Sequence, residues 1–552
     1  MTSNLSFHKF AKYILCIVTL IVSPGLSFDP INIPKFQALT ISTAFVLAYL
    51  SLSNHKFHSK QLRFLRFVLI GFVGLMLLSV LFSGNPLSVS IYGTSGRNTG
   101  FLTYICLSVL LIAFALCSDE KLALAVLKLL GHLSLVLSTY ALFQFSGLEI
   151  FNYGEAYGSP VFGTFGNSNF LSAFLGIAGA ASLVYAALGD HSRKSKIYSY
   201  CVSLLALGGI FLSSSQQGFL NFSAGVAFSF ILKFSTDRRK VFATISSILF
   251  LLGGTLVAFA FFNLGPAAKV VYQSSLGIRK EYWIAGFQMI KDHPLFGVGL
   301  DGFGSWYRQS RTQGMTLNDP GVVSNSAHNV FIDIAVGGGL PLLFIYLMLA
   351  FMTFRSIVRV TTSGGQNNSG FIAISAAWMA YFVQSFISIN QIGVAIWGWA
   401  LCGMIIGYEK TIHVVVKNPQ NRKTNSHSKI DLSTLSVSGL IMGLLILVSS
   451  LPLFFSSVRF YADLKTNNAK VIERSAYLFP YDEYRFIYVS TALQSNNLGI
   501  EALNVSRDGI SYFPRSFELW RLYSINPNAT ETERINAQIE LKRLDPFNPN
   551  LK

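Results

Sequence analysis

The sequence predicts an all-α polytopic membrane protein, and three observations carry that prediction. Of 552 residues, 52% are hydrophobic and only 12% are charged, against about a quarter charged in ordinary soluble domains. The mean hydropathy is +0.49. The apolar residues fall in blocks of roughly 17 to 25, the length that crosses a hydrocarbon core as a helix. A large soluble enzyme is thereby excluded.

Spans are predicted near residues 13–28, 36–53, 65–83, 100–117, 122–146, 168–189, 198–214, 217–234, 241–263, 329–353, 370–388, 391–408 and 432–457, about thirteen helices in all. Lys9 and Lys12 precede the first apolar run much as in a secretory signal. No small-residue cleavage pattern follows, so an uncleaved span is expected. The five cysteines, Cys16, Cys106, Cys117, Cys201 and Cys402, all lie in apolar blocks without metal-ligand spacing and read as packing residues.

The 42 Lys+Arg against 25 Asp+Glu give a net charge of +17. On a soluble chain this would suggest a nucleic-acid partner, but in a membrane protein the position of the charges decides. With the N-terminus in the cytoplasm, the inner loops collect Lys56, Lys60, Arg63 and Arg66, then Arg193, Lys194 and Lys196, then Lys233, Arg238, Arg239 and Lys240. Arg355 and Arg359 follow, and then Lys410, Lys417, Arg422, Lys423 and Lys429. The short outer loops hold little beyond Lys35 and Arg97. This is the asymmetry of the positive-inside rule. Membrane lipids are the expected surroundings, and nucleic acid is not a partner.

That orientation places two segments outside: the connection 264–328 and the tail from about 458. The domain reading is a membrane core over 1–457 and an extracytoplasmic helical tail over 458–552. In the tail, Tyr477-Leu478-Phe479-Pro480, Tyr512-Phe513-Pro514 and Leu544-Asp545-Pro546 recur at intervals of about 34 and 32 residues, close to the tetratricopeptide period. A short array of helix pairs suits the gripping of a protein partner or a long acceptor. The competing reading is coincidence among a few prolines.

Charge inside hydrocarbon is costly, and the predicted spans contain hardly any, which weakens the case for an ion-coupled transporter. Polar groups gather at the outer mouth instead: Arg279, Lys280, Glu281, Lys291, Asp292, His293, Asp301, Arg308, Arg311 and Asp319, ending at Ser326-Ala327-His328-Asn329. The stretch 278–290 has helical spacing of Ile278, Tyr282, Trp283, Phe287 and Ile290 and reads as an interfacial helix. Pro294, Gly297, Gly299 and Gly302 then impose tight turns. An amphipathic cap sealing the bundle is the competing reading.

There is no phosphate-cradling GxxxxGK[ST] loop, and no nucleotide is available outside the cell. A synthetic reaction at this face therefore needs a donor carrying its own activation. A lipid pyrophosphate fits, because its leaving group is a stable anion that arginine receives with paired, charge-assisted hydrogen bonds. No Asp-x-Asp stands in an outer loop and the nine histidines form no ligand cluster, so a site without metal or cofactor is expected.

Several stretches together resemble the O-antigen ligase and O-antigen polymerase group of bacterial membrane glycosyltransferases. They are Tyr92-Gly93-Thr94-Ser95-Gly96-Arg97-Asn98-Thr99-Gly100, Gly163-Thr164-Phe165-Gly166-Asn167-Ser168-Asn169, Ser215-Gln216-Gln217-Gly218, Arg279 with Tyr282-Trp283, His293-Pro294-Leu295-Phe296-Gly297-Val298-Gly299, and His328-Asn329-Val330-Phe331. The resemblance covers about 90–350. It implies a GT-C-like bundle in the bacterial inner membrane that moves a glycan from an undecaprenyl-pyrophosphate carrier to a lipid, polysaccharide or protein acceptor outside. It casts Arg279 as a pyrophosphate clamp and His328 as general base or acceptor-orienting group, a role suited to imidazole. Arg97, Lys280, Gln216, Gln217, Arg308 and Arg311 complete the candidate substrate-binding set.

Each has a plainer alternative. Arg279 reads equally as a headgroup charge and Arg97 more readily as one, His328 alternatively as a helix-start residue, and Asn167 and Asn169 more readily as helix caps than as sugar contacts. Two departures from the family pattern stand out. Gln216 and Gln217 occupy the motif where many members have an arginine before the glycine, and Gly337 stands where an acidic residue is common, although Asp333 lies on the same predicted helix. A lipid-linked glycan flippase or exporter is the alternative from another class, but it should show two related halves, and the halves here look unlike.

Overall fold

The computed structural model describes residues 7–53, 59–153, 161–237, 239–261, 278–363, 369–417 and 437–551. The inner-loop cations Lys56, Arg238, Arg422, Lys423 and Lys429, and the first part of the long outer connection, lie outside the described residues. Among the described residues every regular element is a helix.

In chain order they are α1 (Phe7–Leu20), α2 (Asn32–Leu52), α3 (Lys60–Phe82), the short α4 (Leu87–Tyr92), α5 (Phe101–Cys117), α6 (Glu120–Phe145), α7 (Ser168–Leu188), α8 (Arg193–Leu212), α9 (Gln216–Thr236) and α10 (Lys240–Phe261). The outer connection carries α11 (Arg279–Asp292), α12 (Phe303–Ser310) and α13 (Gln313–Asn318). Then come α14 (Val330–Thr362), α15 (Ser369–Ile387), α16 (Ile392–Lys417) and α17 (Val437–Leu464), followed by the tail helices α18 (Ala469–Ser475), α19 (Glu483–Ser495), α20 (Gly499–Tyr512), α21 (Phe517–Ile525) and α22 (Glu531–Leu544). Ten of them, α2, α3, α6 to α9 and α14 to α17, are long and apolar enough to cross a membrane. The other three expected spans fall on α1, with 14 residues, α5, with 17, and α10.

With no water in hydrocarbon, helices associate through close packing rather than a hydrophobic drive, which favours small residues at crossings. Helices α7 and α9 show this. A Cβ on Gly176 would sit 2.5 Å from the Gly218 carbonyl oxygen, and one on Gly218 2.5 Å from that of Ser172. Lys35 is a correction: it belongs to the first turn of α2, not to an outer loop, and is fully buried. Its ammonium donates to the carbonyls of Val18, Thr19 and Ile21 at 3.1, 2.6 and 3.2 Å, satisfying the end of α1 that would otherwise lack partners. Cys106 and Cys402 are buried as expected, whereas Cys201 is exposed on α8.

The kink in α14 shapes the end of the bundle that carries the 278–328 connection. Gly339 has φ +77 and Pro341 follows it, so the backbone ladder is interrupted. The freed groups are taken up by the 293–299 turn: Leu340 N–H donates to the Pro294 carbonyl at 2.8 Å, and Val298 N–H to the Val336 carbonyl at 2.8 Å. Gly297 has φ +65, and a Cβ there would meet the Val336 oxygen at 2.2 Å. The predicted tight-turn segment is thus a plug in a broken helix. In the tail, α19 pairs with α20 around Phe486, Val489 and Val505, joined by Leu519 of α21, and α21 pairs with α22 around Tyr523 and Ala537.

Candidate active site at the outer helix ends

Arg97 sits in the turn between α4 and α5. Gly93 closes that turn at φ +84, where a Cβ would lie 2.4 Å from the Thr99 nitrogen. Arg97 is 6% exposed; its Nη2 lies 3.3 Å from Asp301 and 3.6 Å from Asp333, and Nη1 donates to the Asn325 carbonyl. Asp301 also accepts from the Thr94 amide at 3.0 Å and the Thr99 hydroxyl at 2.8 Å. Burial works against the Arg97 charge, but Asp301 and Asp333 outweigh it and raise its pKa above the ordinary value. One guanidinium thereby ties the α4–α5 turn, the outer connection and α14 together.

Asp333 accepts from the Ser326 hydroxyl at 2.9 Å and the Ala327 amide at 2.8 Å, and the His328 amide donates to Ser326 Oγ at 2.7 Å. Asn329 caps α14 through the amides of Phe331 and Ile332. His328 is therefore not the cap. It stands just before it at φ +51, a left-handed conformation that costs a non-glycine residue roughly 1 kcal/mol or more. Its ring stacks on Tyr282 with centroids 5.8 Å apart. Burial first, then the charges of Arg279 and Arg97, hold its pKa down at about 3. The imidazole is thereby held in its neutral form.

Arg279 begins α11 and is 4% exposed. Its Nη1 donates to the Ile387 carbonyl at the end of α15, and burial lowers its pKa to about 10. Unlike Arg97, it has no carboxylate at ion-pair distance among the described residues. Lys280 is half-buried beside it. Gln217 lies close by along α15: its Nε2 donates to Gln384, one helical turn before Ile387, and Asn221 donates to the same oxygen at 2.8 Å. Gln217 Oε1 and Gln384 Nε2 are left without partners. Gln216 is exposed.

Arg308 and Arg311 lie elsewhere. Arg311 is fully buried; its Nη2 lies 3.0 and 2.7 Å from the two oxygens of buried Asp545, and it also donates to the carbonyls of Val322 and Pro320. Arg308 pairs with Asp545 at 3.2 Å and Glu518 at 3.4 Å. Both hold the tail against the outer connection. Asn167 caps α7, its side chain accepting from the Asn169 amide at 2.8 Å, while Asn169 accepts from Ser215.

Residues 201–347 match the family model described as O-Antigen ligase. Over that stretch the chain is similar to the O-antigen ligase family. The match spans Gln216, Gln217, Arg279, His293 to Gly299 and His328, so the resemblance read from short motifs holds at the level of the family. No curated protein matches the chain. Members of this ligase family are membrane enzymes that join a lipid-linked glycan to an acceptor. Sequence reasoning names Asp301, Asp333, Tyr282 and Asp545 but misses what they meet: Asp301 and Asp333 on Arg97, Tyr282 against the His328 ring, and Asp545 on Arg311.

Proposed function

We propose that the chain transfers a glycan from an undecaprenyl-pyrophosphate carrier to an acceptor at the outer face of a bacterial inner membrane. Arg279 receives the pyrophosphate and His328 faces the acceptor hydroxyl. One observation carries this: among the described residues, a buried guanidinium with no carboxylate at ion-pair distance lies near enough to a half-buried imidazole to act on its charge. A desolvated cation lacking a counter-ion is a strong anion site. The acceptor oxygen attacks the anomeric carbon, its proton passes to His328, and the carbon–oxygen bond to phosphate breaks with the electron pair leaving on the pyrophosphate. The donor anion beside Arg279 also offsets part of the repulsion that keeps His328 a weak base, so the base strengthens when the donor is in place.

In this reading the bundle is GT-C-like with thirteen spans and a cytoplasmic N-terminus, the tail is TPR-like, and no metal or cofactor takes part. Arg97 organises the centre, and Lys280, Gln216 and Gln217 flank the carrier's path. The test is to incubate purified protein with an undecaprenyl-pyrophosphate oligosaccharide and candidate acceptors, following new glycoconjugate and released carrier. Arg279→Ala and His328→Ala should each lower transfer by about 10²-fold or more. Full activity in both variants would remove the site assignment. Movement of the lipid-linked glycan across vesicles without bond formation would establish a flippase instead. Turnover abolished by EDTA would rule out the metal-free reading.

A further inference from the structure

At the end of the bundle remote from Arg279, helices α6, α7 and α8 enclose a cavity of about 230 Å³. The other end of α8 runs into Ser215, whose hydroxyl donates to Asn169, and Gln217 then reaches Gln384 on α15, one turn before the carbonyl that receives Arg279. The 20 residues of α8 put its start about 30 Å from that point. Ser195, in the first turn of α8, is part of the cavity wall, and no wall residue belongs to the transfer centre.

Gly131 keeps the floor open: a Cβ there would lie 3.5 Å from Tyr198 Oη and 3.9 Å from Ser182 Oγ, so two hydroxyls converge on one point. Ser195 and Ser199 add two more, and Lys128 brings an ammonium from α6. Among the described residues none of these hydroxyls makes a side-chain hydrogen bond, and Lys128 has no carboxylate at ion-pair distance. His132, one turn beyond Lys128, stands edge-on to Tyr198 with centroids 5.7 Å apart. The surplus charge is positive, because Ser195 is flanked by Lys194 and Lys196 and follows Arg193. Asp119, an acid near the start of α6, is taken by His8 at 3.2 Å. Lys128 stands about 12 Å along α6 from Glu120, a depth at which an ammonium is costly unless an anion or water meets it. Further along the same helices the exposed surface turns apolar, with Val136 four residues past His132 and Leu205 seven past Tyr198.

We propose that this cavity binds the phosphate headgroup of an anionic phospholipid, with the acyl chains lying along Val136 and Leu205. The ammonium and the hydroxyls are donors for phosphate oxygens, and tyrosines at the lip belong at headgroup depth. The volume is below the roughly 300 Å³ at which sites for whole drug-sized ligands begin, as a headgroup requires. A free phosphate would meet the same donors but would leave the apolar face above them unused, so the lipid is the occupant. Basic recesses between membrane helices on the cytoplasmic side suit such headgroups. The proposal rests on the topology given above for the leaflet alone, which is then the cytoplasmic one.

The full chain, stripped of lipid in detergent, is titrated with phosphatidylglycerol, with phosphatidylcholine of the same chain length and with glycerol phosphate, and bound ligand is read by native mass spectrometry. Wild type should hold phosphatidylglycerol about fivefold or more tightly than phosphatidylcholine, and glycerol phosphate should not displace it. Lys128→Gln should weaken phosphatidylglycerol binding by about fivefold. Ser182→Leu, which fills the recess without changing its charge, should weaken it further. Lys121→Gln, which deletes an exposed charge on α6 outside the cavity wall, should leave it intact. Equal binding of the two lipids, displacement by glycerol phosphate, undiminished binding in both Lys128→Gln and Ser182→Leu, or an equal loss in Lys121→Gln would overturn the proposal. Because glycan transfer is not the readout, none of these outcomes bears on the transfer reading. Labelling of Lys194→Cys by an impermeant thiol reagent in right-side-out vesicles would overturn the leaflet and the proposed topology together.

Discussion

Two arginines on the same outer connection are both buried and do opposite things. Arg311, at its middle, is ringed by two backbone carbonyls and both oxygens of Asp545. Arg279, at its start, has one carbonyl and no described carboxylate. Burying a charge is expensive unless it is paired and hydrogen-bonded. The first arrangement meets that cost inside the protein and fastens the tail to the core. The second leaves it unmet, and the lowering of the Arg279 pKa to about 10 by burial is its signature. What separates a rivet from an anion site is therefore the neutralising partner and not the depth of the arginine.

The comparison is broken most easily at Arg311. Arg311→Ala strips buried Asp545 of the partner that meets both its oxygens and leaves it only Arg308 and Asn548, which should cost about 3 kcal/mol of tail docking, read as early proteolysis of the tail and a lower denaturation midpoint. Arg311→Met with Asp545→Leu should regain most of it, because a matched apolar pair removes both buried charges. Arg279→Ala should do the reverse, lowering glycan transfer by about 10²- to 10³-fold with melting nearly unchanged. Arg279→Lys should restore only part, since an ammonium lacks the planar fork that meets two phosphate oxygens. If Arg279→Ala loosens the tail as much as Arg311→Ala does, the distinction is wrong. Arg308, 16% exposed, shares Asp545 with Arg311 and faces the 39% exposed Glu518; because Asp545 keeps Arg311, Arg308→Ala should shift stability by less than Arg311→Ala does, about 1 kcal/mol.

The sequence made the all-helical, membrane-spanning class of the fold and the helical character of the tail legible, because each rests on local pattern. Block length marks spans, Pro480 and Pro514 mark the starts of the tail's helix pairs, and polar residues at 279–328 mark the mouth. The sequence singles out Arg279 and His328 as candidates. What makes them differ from Arg308 and Arg311 was not, since it depends on Asp545 more than 230 positions away. The same holds for Asp333. It looked like a displaced substitute for a missing acid at Gly337, but it faces Arg97 and Ser326, while the Gly337 carbonyl accepts from Ser79 at 2.6 Å. Lys35 was misplaced for a related reason: a lysine reads as a loop charge until three carbonyls from another helix are seen to receive it. Spacing reports which residues share a face, not which distant group meets them.

The smallest expected effect is an absence, and it tests the arginine comparison through its neighbour. His328 has a pKa of about 3 through burial and then the repulsion of Arg279 and Arg97. A lowered pKa means that the neutral imidazole persists as pH falls, so the donor-free enzyme should not lose this base near pH 6.5. The profile of kcat/KM, which reports the free enzyme, should show no acid limb from His328 between about pH 8 and 5. In the complex, the pyrophosphate offsets the charge of Arg279, and the pKa rises toward the ordinary imidazole value. The profile of kcat should therefore bend at a higher pH than that of kcat/KM. Arg279→Lys, which keeps the charge, should preserve the separation, and Arg279→Ala should narrow it by raising the free-enzyme value. Coincident limbs in the wild type would mean that the histidine does not feel the donor through Arg279, and the unpaired guanidinium would then need a different occupant.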